Sequence, residues 1–118
     1  MQNWAAVPAP DSVGSEREAM ARGRMFPRIL KRLRELVRTK QYVMTLHAEE
    51  EMDEDGLSIF DVENCLLSGE ILERQRDQAT AEWKYLVCGG TLDESKQIVV
   101  VAKLGPTGKL VIITIYEE

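Results

Sequence analysis

The run Ile98-Val99-Val100-Val101-Ala102 has no polar position on either face of an extended chain. Side chains alternate between the two faces of a strand. A run of this kind therefore reads as a central strand covered on both sides, and a sheet must surround it. Neighbouring segments supply that sheet. Residues 70–75 read as a strand. Residues 82–88 alternate, with Trp83, Tyr85 and Val87 on one face and Lys84, Leu86 and Cys88 on the other. Gly89-Gly90 reads as the opening of a loop or turn, and Gly105-Pro106-Thr107-Gly108 as a turn of hairpin length. The final strand is expected at residues 109–116.

Upstream the periodicity is helical. Residues 26–40 carry an apolar stripe, Ile29, Leu30, Leu33, Leu36 and Val37, with Pro27 suited to the first turn. Arg28, Lys31, Arg32, Arg34, Arg38 and Lys40 cover much of the rest. Residues 42–46 are expected as a first strand and residues 47–55 as a short helix, ended by Gly56 in the left-handed position that glycine favours. Ser58 then caps a further helix, Asp61 completes a variant of the capping box, and Gly69 stops it. Ile59, Val62, Cys65 and Leu66 form its apolar face. The order predicts an α+β fold, a largely antiparallel sheet of four to five strands with helices packed on one face.

A chain of 118 residues supports one such domain without metal or disulfide staples. Pro8, Pro10, Ser12, Gly14 and Ser15 break any periodicity, so residues 1–24 are expected to be a disordered lead-in and residues 25–118 the single domain. No apolar run is long enough to span a bilayer, and the N-terminus lacks the pattern of a secretory signal. Cys65 and Cys88 form no Cys-x-x-Cys pair and read as buried, reduced thiols of a bacterial-type cytoplasm. No metal or cofactor is expected.

Charge is unevenly spread. Residues 1–40 hold nine Lys/Arg against four Asp/Glu, about +5, whereas residues 41–118 hold six against sixteen, about −10. The first part suits something anionic, and the acidic body opposes tight, non-specific nucleic-acid binding.

His47 is the only histidine, and so the one obvious general acid/base near neutral pH. At a helix start it can equally cap free backbone N–H groups. Glu49, Glu50, Glu51, Asp53, Glu54 and Asp55 follow it, in a spacing that fits no EF-hand loop or zinc motif, and read as a solvated acidic face. Trp83 and Tyr85 share one face of their strand; exposed they stack on bases, buried they are core. Lys103 interrupts the apolar run 98–104 and must reach water or a partner.

Thr45-Leu46-His47-Ala48, the acidic helix, Asp55-Gly56-Leu57-Ser58, Asp61-Val62-Glu63, Gly69-Glu70-Ile71, Glu82-Trp83-Lys84-Tyr85 and Val111-Ile112-Ile113-Thr114-Ile115-Tyr116 together resemble an uncharacterised bacterial family over residues 41–118. That family is known only as a domain of unknown function. It is similar to the RelE and MqsR ribonuclease toxins, and its members are often encoded beside small zinc-finger proteins resembling the MqsA antitoxin. The resemblance implies a RelE-like fold, a zinc-finger antitoxin-like partner, and a metal-independent endoribonuclease that attacks RNA phosphates with the 2′-hydroxyl. Such chemistry needs a base, an acid and cations around the phosphorane. His47 would be base or acid, and Lys84 and Lys103 would stabilise charge. Tyr85 or Tyr116 would be a second proton donor or stacking surface, with Arg74, Trp83 and Tyr116 binding substrate. Where many relatives carry arginines after the histidine, this chain holds Glu51 and Asp55. The alternative is a non-catalytic cytoplasmic interaction module on the same scaffold, with the acidic helix as docking surface. A nuclease gathers Lys84, Lys103 and Arg74 around His47 in one concavity; a docking module scatters them.

Overall fold

The computed structural model describes residues 26–118; the expected lead-in, residues 1–24, lies outside them. Eight elements follow in order: α1 (Pro27–Arg38), β1 (Tyr42–Met44), α2 (Leu46–Glu54), α3 (Ile59–Ser68), β2 (Glu70–Arg76), β3 (Trp83–Gly90), β4 (Gln97–Leu104) and β5 (Leu110–Glu117). The α+β expectation holds. The five strands form one open sheet in the order β1-β5-β4-β3-β2, antiparallel except that β1 runs parallel to β5.

The helices lie on one face. Leu33, Leu36 and Val37 of α1 and Val62, Cys65 and Leu66 of α3 join Ile71, Tyr85, Val87, Ile98, Val100, Ala102, Leu110, Ile112 and Ile115 in one buried cluster. On the other face Leu86, Val99 and Val101 form a second, smaller cluster with Cys88 and Tyr116. The uniformly apolar run is therefore central, with its odd and even residues feeding different clusters.

Local chemistry sets most boundaries. α1 ends earlier than residue 40, because Lys40 turns left-handed (φ 61°) while its N–H reaches the Val37 carbonyl and the Gln41 N–H reaches that of Leu36. This is the Schellman arrangement, built here without glycine. Thr45, not His47, caps α2: its Oγ1 accepts the Ala48 N–H at 3.1 Å. β1 correspondingly stops at Met44 rather than 46. Ser58 and Asp61 form the expected capping box, and Gly56 is left-handed at φ 69°. Gly89-Gly90 does not open a turn; β3 runs through both. A Cβ on Gly89 would lie 2.8 Å from the Cys65 carbonyl oxygen, so the glycine is there for helix-to-strand contact.

Two bulges decide which side chain faces which side. In β2 Ile71 pairs with Val87 and Glu73 with Leu86, leaving Leu72 unpaired. In β5 Ile112 pairs with Ala102 and Thr114 with Val101, leaving Ile113 unpaired. Each extra residue inverts the alternation beyond it. Arg74 thereby comes to the helix-covered face opposite Tyr85, and Tyr116 to the other face opposite Val99.

Candidate functional site

The expected site residues occupy three places. The first is the β5 edge. β1 is only three residues long, and beyond it α2 takes over that edge. The Thr45 hydroxyl donates to the Ile113 carbonyl at 3.1 Å, and the Ile115 N–H donates to Glu51 Oε1 at 2.9 Å. The other carboxylate oxygen of Glu51 lies 3.2 Å from His47 Nε2. Glu51 thus satisfies a strand N–H that has no strand beside it, and His47 leans on Glu51 with 64% of its side chain exposed.

The second place is the face without described helices. Lys103 Nζ lies 2.6 Å from Glu82 Oε1, which answers how a lysine is tolerated so near the core. The hydrogen bond from Lys103 is the main reason the Glu82 carboxyl sits below its ordinary range. Lys84 shares this face, opposite Gln75. Both lysines help hold Asp77 low, behind the dominant N–H bonds from Ala79 and Thr80. Tyr116 lies farther along the same face, against Leu86, Val99 and Val101.

The third place is the helix-covered side at the β2–β3 end. Tyr85 is buried there, its ring edge-on to Phe26 at 5.9 Å between centroids. The Arg74 guanidinium lies 4.1 Å from the Trp83 ring centre and 5.3 Å from that of Phe26, and Arg76 lies 4.8 Å from Trp83. Arg74 and Trp83 are brought together, but not with the lysines or with His47.

Separation across the sheet is large. Strands lie about 4.8 Å apart, so from β1, whose edge position α2 continues, β4 is two strands away at roughly 10 Å and β3 three away at roughly 14 Å. Tyr85 and Arg74 are also on the opposite face from Lys84 and Lys103. No proton-transfer pair is formed by His47 and a tyrosine, and no group of three metal-ligating side chains occurs among the described residues. Sequence reasoning named Arg28 only as part of the basic face of its helix, and did not single out Phe26 or the strand-bridging role of Glu51. Phe26 and Arg28 had a signal, flanking the Pro27 that starts α1; the contact from Glu51 to Ile115 had none.

A further buried polar group lies under α1. Glu63 accepts hydrogen bonds from Lys40 Nζ at 2.7 Å and from the Tyr42 hydroxyl. Burial alone would raise the Glu63 carboxyl, but the bonds from Lys40 and Tyr42 outweigh it and hold it below the usual range. Burial, and then the nearby carboxylate, push Tyr42 upward.

Taken together, the described residues form a four-stranded antiparallel meander extended by one parallel strand, with three helices on one side and the expected site residues divided among three places. Residues 44–117 match the family described as Domain of unknown function (DUF4258), and the chain belongs to that family. No curated protein and no solved structure matches it. No described helix is long and apolar enough to cross a membrane.

Proposed function

We propose that this domain is a non-catalytic interaction module that docks a cationic surface of a protein partner on α2. The observation that carries this reading is the charge on that helix. Glu49 and Asp53, Glu50 and Glu54, and Glu51 and Asp55 stand four residues apart, so like charges stack on three successive rows. Each such pair destabilises a helix by about 0.2–0.5 kcal/mol. No basic residue sits in the last turn, where the helix dipole favours one. Glu49, Glu50, Asp53 and Glu54 are exposed, and Leu46 beside them is 70% exposed. A cationic partner relieves that repulsion and covers the leucine. A zinc-finger antitoxin-like protein, the partner the family resemblance implies, is one such candidate.

The second reading is a toxin-type endoribonuclease. It is favoured by Lys84 and Lys103 sharing one face, and weakened by the ties of Lys103 to Glu82 and of His47 to Glu51. Controlled expression of wild type, His47→Ala and Lys103→Ala separates the two. The module reading expects normal growth and intact cellular RNA in all three. Growth arrest with RNA cleavage by wild type, lost in either variant, would overturn it.

A further inference from the structure

We propose that the arginine–aromatic cluster at the β2–β3 end, continued along α1, is a binding site for single-stranded nucleic acid. The cluster joins the start of the described chain to its middle. Phe26 and Arg28 come from the start of α1, Arg74 and Arg76 from β2, and Trp83 from β3. The Leu72 bulge puts Arg74 on the same side as Trp83; without it Arg74 would sit on the opposite face.

Most cations of this cluster are unpaired among the described residues. Lys40, Lys96 and Lys103 each face a carboxylate, Arg32 faces Glu35, and Arg34 donates to the Gly69 carbonyl. Among the described residues, Arg28, Lys31, Arg38, Arg74 and Arg76 form no ion pair or side-chain hydrogen bond. A guanidinium held over an aromatic ring with no hydrogen-bond acceptor keeps its N–H donors free for a phosphate.

The space beside them is elongated. A groove of about 450 Å³ is lined by Phe26, Pro27, Arg28, Ile29 and Arg74. It meets, at Pro27, a second of about 360 Å³ lined by Leu30, Lys31, Arg34 and Arg38. The track therefore follows α1, whose 12 residues span about 18 Å. Cations alternate along it with apolar side chains. This combination suits an unpaired strand, which offers both phosphates and exposed base faces. A duplex hides its base faces, and an acidic peptide has none. α1 itself carries five Lys/Arg against one Glu although the whole chain carries −5.

The test is a fluorescence-anisotropy titration of the full chain with a labelled, unstructured RNA 12-mer at several salt concentrations. Arg74→Ala with Arg76→Ala is expected to weaken binding at least tenfold. It should also lower the slope of log affinity on log salt by about 1.4, if each guanidinium holds one phosphate. Arg28→Glu with Lys31→Glu, both fully surface positions, is a second arm that does not depend on the stacked pair folding. It too should weaken binding at least tenfold. The proposal is overturned if both variants stay within twofold of wild type. It is equally overturned if the annealed duplex or a poly-glutamate peptide competes as well as the single strand. Cleavage of the bound RNA would refute the non-catalytic reading above and leave this site standing.

Discussion

Glu51 carries more structure than its position on an acidic helix suggests. Removing it orphans the Ile115 N–H inside the domain, and a buried donor left without an acceptor costs about 1–3 kcal/mol. His47→Ala removes only an exposed contact one helical turn away, worth a few tenths of a kcal/mol. Urea unfolding of Glu51→Ala and His47→Ala should show that order; equal losses would refute the bridging role. Glu63 gives a second residue-scale expectation. Its carboxyl is depressed in the folded state, so its contribution is present above the ordinary carboxylate range and is lost as pH falls through the folded value. The stability gap between wild type and Glu63→Gln should be steady from pH 7 to about 5 and narrow toward pH 3. A gap that widens on acidification would contradict the Lys40 and Tyr42 bonds. His47 as the lone imidazole was legible in the sequence; its carboxylate partner's hold on a distant strand was not, because that contact joins residues 64 apart.

Elements were legible where one stretch of chain contains its own reasons. The Ser58–Asp61 box, left-handed Gly56 and the turn at residues 105–108 each rest on local hydrogen bonds or torsions, and all three occur as read. Bulges are different, since an unpaired residue is defined by the neighbouring strand. Regular alternation from Ile71 puts Arg74 beside Lys84, and regular alternation from Ile112 puts Tyr116 in the helix-side core; one inserted residue in each strand reverses both. Gly89 was misread for a similar reason, because the backbone that needs the space belongs to α3. Gly89→Ala should cost about 1–3 kcal/mol or more by overpacking, while Gly90→Ala, facing the flexible Gln97 side chain at 3.4 Å and the Lys96 carbonyl at an ordinary 3.8 Å, should cost far less. Thermal melts of the two variants check this. For α2, replacing Glu50, Asp53 and Glu54 by Gln, Asn and Gln should stabilise the free domain by about 0.5–1 kcal/mol in low salt. Most of that gain should vanish at 1 M salt, where charges are screened within about 3 Å. A destabilised variant would mean those carboxylates already have partners.

At the scale of the molecule, charge is sorted by position: acidic on α2 at the β5 edge, basic along α1. The sequence revealed that asymmetry along the chain, but not that the fold keeps its two signs on different flanks. The α+β class was legible from the order of periodicities, and β4 as the centre from its uniformly apolar run. The parallel pairing of β1 with β5 was not, because nothing in three residues names a partner at the far end of the chain. That pairing bears on how the protein is made. β5 stands between β1 and β4, so on the ribosome both must wait for it. Until it emerges, the most water-averse strand of the domain, β4, is an open edge, able to pair with any passing extended chain. Nascent chains stalled with β5 still inside the exit tunnel should be protease-sensitive and bound by holdase chaperones, whereas those stalled after its release should resist both. The vulnerable moment in this domain's synthesis is the interval between the emergence of β4 and that of β5.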